Sequence, residues 1–394
     1  MKILVFSQYF YPENFRINTL CKELVARGNE VTVVTGYPQY PIGEIYEGYG
    51  FDLPYEKEWN GVKIERVKVH PRGHNALGLL RNCVDYVAAG NRWVRRCTEK
   101  YDAVFVFEVS PVTVGLPAVT YKKKFGTPIF FNLQDLWPEN VHEVLGLRFP
   151  PLTWVINKIV DRIYTNSDKI LCASNGFVKN LKERGVAEEK LVFWPQFCPE
   201  PNFEGAKKPE IYSDEHFNIV FTGNIGDAQG LDLMIEAAKE FKGRGIRWHL
   251  VGDGRAKERL QKLAEEYQLD AEVRFIGRVS EEEANCYVRF ADCAYLSFQD
   301  NVLFNMTLPA KLQTYLACGA PILAAAGGES AELIESVQCG IATPPRLPEL
   351  IAAVEKMLAL SSEEKAAFSQ NAANYYQAHF TLKQLVDALE SMMQ

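Results

Sequence analysis

The feature that most constrains this chain is a regular alternation of short apolar runs, rich in β-branched and aromatic residues, with longer segments of helical periodicity. Such alternation is typical of β-α-β units, in which helices cover both faces of a parallel sheet. We therefore predict an α/β fold. The apolar runs assigned to strands lie near residues 2–6, 31–35, 63–69, 103–107, 128–133 and 169–173, and then near 217–221, 246–251, 272–276, 293–298 and 320–325.

The alternation stops once, over a proline-rich segment between Pro195 and Asp214 that has no periodicity. Such a segment is typical of a linker. The sequence predicts an N-terminal Rossmann-like domain over residues 1–198, a linker over 199–214, a second Rossmann-like domain over 215–375, and a C-terminal helix over 376–394 that packs back on the first domain. Ligands of doubly wound domains bind in the cleft at the carboxyl ends of the strands.

Charge and cysteine content exclude several classes of protein. The net charge of −7 argues against a protein that wraps a polyanion, so we expect no nucleic-acid partner. Nine cysteines without a C-x-x-C pair indicate reduced thiols in a cytoplasmic protein. No apolar run reaches the roughly 18 residues of a membrane span. We expect a cytoplasmic protein that meets a membrane only from its surface.

Glycine-containing turns in the second half are the best candidates for an anion site. Neither G-x-G-x-x-G nor G-x-x-x-x-G-K-[ST] occurs, which argues against dehydrogenases and kinases. The turn Gly223–Gly226 follows a predicted strand and precedes a helix predicted from about Gln229, so its free N–H groups and the helix dipole would favour a phosphate. Lys311 at a helix start and the pair Gly327-Gly328 form two similar turns. Each alone could be an ordinary turn, but together they predict a nucleotide-diphosphate site.

Several further motifs carry a resemblance over nearly the whole chain. They are Tyr9–Asn14 with Arg16, Arg27–Val33, Thr35–Pro41, Gln134–Glu139, Phe221–Gly226, Val251–Gly254 and Lys311–Ile322. In their order and spacing the chain resembles the retaining glycosyltransferases of family 4. That family has the GT-B fold, in which two Rossmann-like domains face a central cleft. The motifs are most similar to the branch that includes N-acetylfucosamine transferases of O-antigen and capsule synthesis.

The resemblance implies a reaction. A sugar would move, with retention of anomeric configuration, from a nucleotide-diphosphate sugar to a polyprenyl-diphosphate-linked saccharide in bacterial O-antigen or capsule synthesis. The expected nucleotide is UDP. The expected reaction is hexosyl or N-acetylhexosaminyl transfer, and an N-acetylated deoxyhexose is among the sugars that the resemblance implies. The nucleotide sugar is a co-substrate, and no cofactor or metal ion is expected. The protein would mainly position groups and stabilise diphosphate charge.

The resemblance also assigns donor-binding residues, with departures from the family pattern. Members commonly carry an Arg and a Lys on the glycine turn, where this chain has Asn224 and Gln229. They also carry two glutamates seven residues apart, where it has Met306 and Thr314. Lys311 is therefore the predicted partner of the diphosphate. The full predicted donor site is Gly223, Asn224, Ile225, Gly226, Arg255, Arg278, Met306, Thr307, Leu308, Lys311, Thr314, Gly327 and Gly328.

Catalytic and acceptor-binding residues are predicted in the first domain. Asp135 would orient the acceptor hydroxyl or the donor sugar, and it follows Gln134, which stands where members often have a His. The alternative for Asp135 is the N-cap of a helix starting near Trp137. Glu139 is a second candidate carboxylate, or else a favourable acid in a first helical turn. Asn14 and Arg16 would bind an acceptor phosphate, or else belong to a capped, solvated helix start.

A basic amphipathic segment over residues 77–100 could bind a membrane. It carries five basic residues (Arg81, Arg92, Arg95, Arg96 and Lys100) against Asp85 and Glu99, and the run 122–124 adds three lysines. Such helices bind anionic lipid, so peripheral association with the cytoplasmic face of the inner membrane is expected. The alternative is a sheet-covering helix with a solvated basic face.

Three other functions stay open at this point. A sugar-nucleotide 2-epimerase, specifically one acting on a UDP-sugar, uses the same two-domain fold and needs no saccharide acceptor. A non-catalytic sugar-binding protein would bind sugar without nucleotide. A degenerate enzyme would bind nucleotide without transferring sugar, because the glutamate pair of the family is missing here.

Overall fold

The computed structural model describes residues 1–73, 75–141 and 149–394, and it divides into two compact units. Unit 1 consists of Met1–Pro195 with Leu385–Gln394, and unit 2 of Gln196–Gln384. Each unit is built on a largely parallel sheet with connecting helices. The predicted α/β class with two parallel-sheet domains is confirmed.

Unit 1 contains an eight-stranded sheet in the order β3-β4-β2-β1-β5-β6-β7-β8, parallel except for the β3–β4 pair. Ile3 to Phe6 of β1 have no exposed surface, as expected for a central strand covered on both faces. The strands are β1 (Lys2–Ser7), β2 (Glu30–Thr35), β3 (Glu58–Trp59), β4 (Val62–Arg66), β5 (Ala103–Glu108), β6 (Ile129–Leu133), β7 (Lys169–Cys172) and β8 (Leu191–Phe193).

Helices connect most of the strands of unit 1. The first ends where Gly28 adopts φ 87°, a left-handed conformation that favours glycine, and the N–H of Gly28 donates to the carbonyl oxygen of Val25. The basic amphipathic segment is helical only as far as Arg96. The helices are α1 (Arg16–Ala26), α2 (Ala76–Arg96), α3 (Gly115–Phe125), α4 (Pro150–Asn166), α5 (Asn175–Glu183) and the terminal α14 (Leu382–Met393).

Unit 2 contains a six-stranded parallel sheet in the order β11-β10-β9-β12-β13-β14. Its core surrounds Trp248, which has no exposed surface. The strands are β9 (Phe217–Thr222), β10 (Ile246–Val251), β11 (Val273–Gly277), β12 (Cys293–Ser297), β13 (Ile322–Ala325) and β14 (Gly340–Thr343). The helices are α6 (Asp232–Glu240), α7 (Lys257–Glu266), α8 (Glu281–Phe290), α9 (Val302–Asn305), α10 (Ala310–Ala317), α11 (Gly328–Val337), α12 (Leu347–Ala359) and α13 (Ser362–His379).

Each sheet has a point where the order of its strands reverses. In unit 1 the chain runs outward from β1 through β2 and β4, then returns to place β5 on the other side of β1. In unit 2 it runs outward from β9 through β10 to β11, then returns to place β12 beside β9. Ligands of open α/β sheets bind outside the carboxyl ends of the strands at such points. The turns after β5 and β9 are therefore the places to search.

The unit boundaries differ from those expected. The predicted linker 199–214 belongs to unit 2, because buried Tyr212 donates its hydroxyl to the carbonyl oxygen of Tyr287 at 2.9 Å. The segment predicted as one terminal helix is also divided. The first residues of the segment 376–394 form the last turn of α13. There the Tyr376 hydroxyl donates to the Cys198 carbonyl oxygen in unit 2 at 3.0 Å. The later part packs in unit 1, where Trp194 Nε1 donates to the Leu385 carbonyl oxygen at 2.9 Å.

Short edge elements account for the strands that were not predicted. The strand β3 has only two residues, β8 three and β14 four, and runs this short carry too little periodicity to stand out. Within the described ranges, no helix combines the length and apolar character needed to cross a bilayer.

Candidate active site

The glycine turn of unit 2 is a closely packed structure. It follows β9 and lies against the loop after β10, where a Cβ on Gly252 would overlap the carbonyl oxygen of Gly223. Gly223 itself has φ 118° and Gly252 φ 142°, conformations that side chains rarely adopt. The two loops can approach this closely only because residue 252 is glycine. The turn is therefore held in one backbone conformation.

The hydrogen bonds of this turn correct the predicted phosphate cradle. The N–H groups of Gly223 and Ile225 donate to the carbonyl oxygens of Val251 and Asp253, both at 2.9 Å. The N–H of Gly226 donates to Gln229 Oε1 at 3.3 Å. These three groups are engaged, and a 3₁₀ turn delays the start of α6 to Asp232. The prediction of free N–H groups is wrong for Gly223, Ile225 and Gly226, because β10 and the loop after it take up two of the donors and Gln229 the third.

Lys311 brings a positive charge to the same turn. Its Nζ lies 3.5 Å from the centroid of the Phe221 ring, and a Cβ on Gly223 would lie 3.3 Å from Lys311 Cε. Nζ is buried and, in the part of the chain that the structure describes, has no hydrogen-bond partner. Burial lowers the pKa of Lys311 well below its usual value. An unpaired buried ammonium is unfavourable, so this position suits a residue that binds an anion.

A cavity of about 360 Å³ opens beside the turn. Its wall combines the turn, the loop after β10 and the start of α8, where Ser280 Oγ accepts from the N–H of Glu283 at 3.1 Å. Arg278 is the predicted donor-site cation that reaches this cavity. The lining residues are Gly223, Asn224, Val251, Gly252, Asp253, Arg278, Val279, Ser280, Glu281 and Ala284.

Other predicted donor residues already have intramolecular partners. Arg255 Nε pairs with Asp227 at 2.7 Å on the surface. The hydroxyls of Thr307 and Thr314 donate to carbonyl oxygens one turn earlier, Leu303 at 2.8 Å and Ala310 at 3.2 Å. Both hydroxyls are therefore engaged within their own turns.

The last predicted donor turn is shaped by contact with α9. A Cβ on Gly328, which has φ 59°, would overlap the carbonyl oxygen of Asn305. Gly327 is the N-cap of α11. Met306 is the C-cap of α9, and Leu308 is buried. These residues lie around the carboxyl end of β13, in the sheet that also carries the Gly223 turn.

In unit 1 the structure brings Asp135 next to a second, fully buried carboxylate. Glu108, the last residue of β5, accepts the N–H of Gln134 at 3.1 Å and of Asp135 at 3.0 Å through Oε2. Its Oε1 accepts the N–H of Ser110 at 3.2 Å. Burial, and then the charge of Asp135, raise the pKa of Glu108 well above its usual value. Asp135 Oδ2 accepts the hydroxyl of Ser110 at 2.6 Å.

The alternative of a helix N-cap does not fit Asp135. Helical residues begin at Glu139, four positions after Asp135, whose Oδ2 accepts the hydroxyl of Ser110. Glu139 Oε1 accepts Asn180 Nδ2 at 3.2 Å, whereas its buried Oε2 has no hydrogen-bond partner among the described residues. Asp135 and Glu139 both follow β6, at the carboxyl edge of the sheet.

The predicted acceptor residues lie beside a buried glutamate. Asn14 is exposed and Arg16 half-buried at the start of α1, whose N-cap Phe15 makes no side-chain capping bond. Glu13 before them is buried and accepts the N–H groups of Gln39 and Tyr40 at 2.8 and 2.7 Å. Burial raises the pKa of Glu13 to about 7. Glu13 thus ties the turn after β1 to the turn after β2.

Sequence reasoning missed Glu13, Glu108 and Ser110 as parts of this edge. A usable signal existed for Glu108, since it ends an otherwise apolar strand, Ala103–Glu108, in which every residue is buried. A charged residue at the carboxyl end of a buried strand must find partners or lie at a site. Among residues 1–73, 75–141 and 149–394, no three His, Cys, Asp or Glu side chains group as metal ligands.

Comparison with known proteins agrees with this two-unit arrangement. Residues 14–196 match the model of the glycosyl transferase 4-like domain, and residues 203–375 match that of the glycosyl transferases group 1. A curated relative is the putative colanic acid biosynthesis glycosyl transferase WcaI of Escherichia coli K12. It is 26% identical over 395 residues, a match that covers 93% of this chain and 94% of WcaI.

Two solved structures show the same fold at lower identity. Sucrose-phosphate synthase from Thermosynechococcus elongatus superimposes with a TM-score of 0.75 at 16% identity, over 99% of this chain and 98% of that one. HepE of Anabaena, in complex with UDP, superimposes with a TM-score of 0.69 at 14% identity, over 100% and 99%. Because one family model matches most of unit 1 and the other most of unit 2, the chain belongs to the group 1 glycosyltransferases of the GT-B fold, with an N-terminal glycosyl transferase 4-like domain.

Proposed function

We propose that this glycosyltransferase moves a hexosyl or N-acetylhexosaminyl group from a UDP-sugar to a polyprenyl-diphosphate-linked saccharide, with retention, during synthesis of a bacterial surface polysaccharide. The colanic acid assignment of WcaI supports the polysaccharide context. The complex of HepE with UDP supports the choice of nucleotide. The sugar-nucleotide epimerase and the sugar-binding protein become outcomes of the test.

Lys311 carries the proposal. Its buried ammonium has no anion among the described residues, yet it lies beside Gly223 at the strand-order reversal of unit 2. A donor diphosphate at this turn would supply the missing negative charge and form a charge-assisted hydrogen bond. Because diphosphate charge grows as the glycosidic bond breaks, the same ammonium would stabilise the leaving group. Lys311 would thus supply the positive charge that the Arg and Lys on the glycine turn supply in other members of the family.

The cavity beside the turn would hold the nucleoside. At about 360 Å³ it lies within the usual size range of small-ligand pockets. Arg278 and Val279 line it, so a planar base could lie between the cavity walls. The sugar would then extend toward the Gly327-Gly328 turn, which follows β13 in the same sheet.

Asp135 would act on the acceptor side. Its carboxylate is held at the carboxyl edge of the unit 1 sheet by Ser110, and a fixed carboxylate can orient a sugar hydroxyl by accepting its hydrogen bond. Arg16, in the first turn of α1, would contact an acceptor phosphate. The protein would thus contribute positioning and charge stabilisation, and the leaving phosphate would assist deprotonation of the acceptor.

The test combines binding with turnover. UDP, GDP, TDP and ADP are compared by thermal shift, and UDP release from UDP-sugars is then measured with and without a polyprenyl-diphosphate disaccharide. We expect a shift from UDP and acceptor-dependent release that Asp135→Asn lowers strongly, to a residual rate that can still be measured, without weakening UDP binding. Acceptor-independent formation of an epimer would favour the epimerase. A shift from free sugars alone would overturn the transferase proposal.

We further propose that the N-terminal turns of α2 and α4 bind the membrane surface that carries the acceptor. Leu77 is 79% exposed and Trp154 63%, and Leu80, Val84 and Phe149 are also exposed. The helix α2 follows β4 and α4 precedes β7, so both begin at the carboxyl edge of the sheet. Exposed apolar and aromatic side chains, with Arg81 in the same part of α2, suit an anionic interface.

One part of the predicted basic surface is unavailable for lipid. Lys124 Nζ donates to the carbonyl oxygens of Val94, Arg95 and Cys97 at the end of α2, and Lys122 pairs with Asp168 at 2.6 Å. Flotation with vesicles of phosphatidylglycerol and phosphatidylethanolamine tests the surface. We expect Leu77→Glu with Leu80→Glu to abolish flotation, while Leu53→Glu, at another exposed leucine, has no effect. Equal flotation of both variants would refute this surface.

A further inference from the structure

Ser110 has a backbone conformation that its residue type does not favour. It follows β5 at the strand-order reversal of unit 1 and has φ 42°, in the left-handed region that residues with a side chain disfavour. A glycine could adopt this conformation without that cost. Among the described residues, the other non-glycine positions with positive φ are Asn60, Gln268 and Gln338. The serine side chain must therefore contribute something that glycine cannot.

The hydroxyl of Ser110 contacts the predicted catalytic carboxylate. Ser110 Oγ donates to Asp135 Oδ2 at 2.6 Å, the short distance typical of a hydroxyl bonded to a charged oxygen. This bond joins the turn after β5 to the turn after β6, and the two strands are neighbours in the sheet. It fixes the rotation of the Asp135 carboxylate about its side-chain bonds.

Glu108 fixes the main chain of both turns that this bond joins. It has no exposed surface, and its two oxygens accept from Ser110 on one side and from Gln134 and Asp135 on the other. The main chain of Ser110 is thus fixed independently of its hydroxyl. Removing the hydroxyl should release the Asp135 side chain while leaving both turns in place.

We propose that Ser110 is a positioning residue, which holds the Asp135 carboxylate in the orientation that the transfer reaction requires. The proposal rests on the function proposed above for Asp135. It assigns Ser110 no contact with substrate. In this backbone conformation Ser110 Oγ donates to Asp135 Oδ2 while the N–H of Ser110 donates to Glu108 Oε1.

Ser110→Gly separates this role from a structural one, because it removes the hydroxyl and relieves the backbone. We expect its Tm to equal or exceed that of the unmodified protein. Its kcat for UDP release should fall roughly tenfold, the size of one charge-assisted hydrogen bond, with KM changed less than about twofold. Ser110→Ala should show the same loss of kcat. The matched control Asn60→Gly relieves a positive φ elsewhere in unit 1 and should leave kcat unchanged.

The kinetic assay uses UDP-glucose, UDP-galactose, UDP-N-acetylglucosamine and UDP-N-acetylgalactosamine, with the fastest donor carried forward. In an Asp135→Asn background, Ser110→Gly should have no further effect, because the two residues act through one bond. An independent tenfold loss in that background, or full activity of Ser110→Gly alone, would overturn the proposal.

A crystal structure of Ser110→Gly gives a readout without turnover. We expect an unchanged backbone at residues 108–111 and 134–135, with the Asp135 side chain in a new or mixed rotamer. An unmoved Asp135 carboxylate would refute the positioning role. If no donor releases UDP from the unmodified protein, the proposed function fails while this structure still decides the role of Ser110.

Discussion

Replacing Lys311 by Met should change stability and ligand binding in opposite directions. Met has a similar length but no charge, so Lys311→Met removes a buried ammonium that lacks an anionic partner among the described residues. Replacing buried charge by apolar groups can stabilise a protein by about 1–4 kcal/mol. The contact with the Phe221 ring offsets part of this gain, by about 0.5–2 kcal/mol. We therefore expect a Tm several degrees higher for the ligand-free variant, at roughly 2–4 °C per kcal/mol for a unit of this size.

UDP binding should weaken in the same variant. Loss of one hydrogen bond to a charged group costs about 1.5–3 kcal/mol, which is roughly a 10–100-fold higher Kd. Calorimetric titration with UDP measures this directly. Lys365→Met is the matched control, since Lys365 lies over the Phe217 ring at the start of the same strand, and its variant should bind UDP normally. A lower ligand-free Tm, or unchanged UDP affinity, for Lys311→Met would refute the reasoning.

The pH dependence of unfolding gives a third readout of the same lysine. Its pKa in the folded protein is lowered from the usual 10.5, so between the two values the unfolded chain binds more protons. Stability then rises with pH across that interval. Lys311→Met should remove this rise, which urea unfolding between pH 7 and 10 would detect. An identical slope in both proteins would contradict the lowered pKa of the buried Lys311 side chain.

Three further predictions test other parts of the two units. Gly252 has φ 142°, and in Gly252→Ala the new Cβ would overlap the Gly223 carbonyl oxygen. The substitution should lower the free energy of unfolding by about 3 kcal/mol or more. A loss below about 1 kcal/mol by urea titration would contradict this packing. Ala284→Trp should fill the cavity of about 360 Å³ and prevent UDP binding with little change in Tm, and calorimetry showing normal affinity would exclude the cavity as the nucleoside site. The pKa of Glu13 is raised to about 7, so its contribution to the free energy of unfolding is fully present below pH 4.5 and is lost as pH rises through 7. Glu13→Gln should remove this pH-dependent change, which amounts to up to about 3 kcal/mol. Unfolding curves of the variant at pH 4.5 and 8 that match those of the unmodified protein would refute this.

The sequence predicted the sheets well because their strands are continuous buried runs. The segment Lys2–Ser7 and its parallel partners are apolar on both faces, a pattern that needs no knowledge of tertiary contacts. The two-domain GT-B architecture followed from the alternation and from the motif resemblance. What periodicity could not reveal was the packing of Tyr212 in a segment that has no regular structure.

The candidate site was predicted only in part, because its geometry depends on contacts between loops distant in sequence. Lys311 was chosen as the remaining cation near the turn, but only the structure shows that its ammonium is buried and unpaired. The turn Gly223–Gly226 was expected to offer free N–H groups, and the loop around Gly252 takes them up. The carboxylate Glu108 was overlooked because its three donors come from two separate turns.

Unit 1 is assembled from two stretches of sequence, Met1–Pro195 and Leu385–Gln394, which the whole of unit 2 separates. Arg27 in the first stretch pairs with Glu390 in the second at 3.0 Å. During synthesis on the ribosome, the first stretch must therefore wait for unit 2 to be translated before its last helix arrives. Unit 2, whose residues are contiguous, can complete its fold first even though it is translated later. Unit 1 thus begins translation first but cannot complete its fold until the residues of unit 2 have been made.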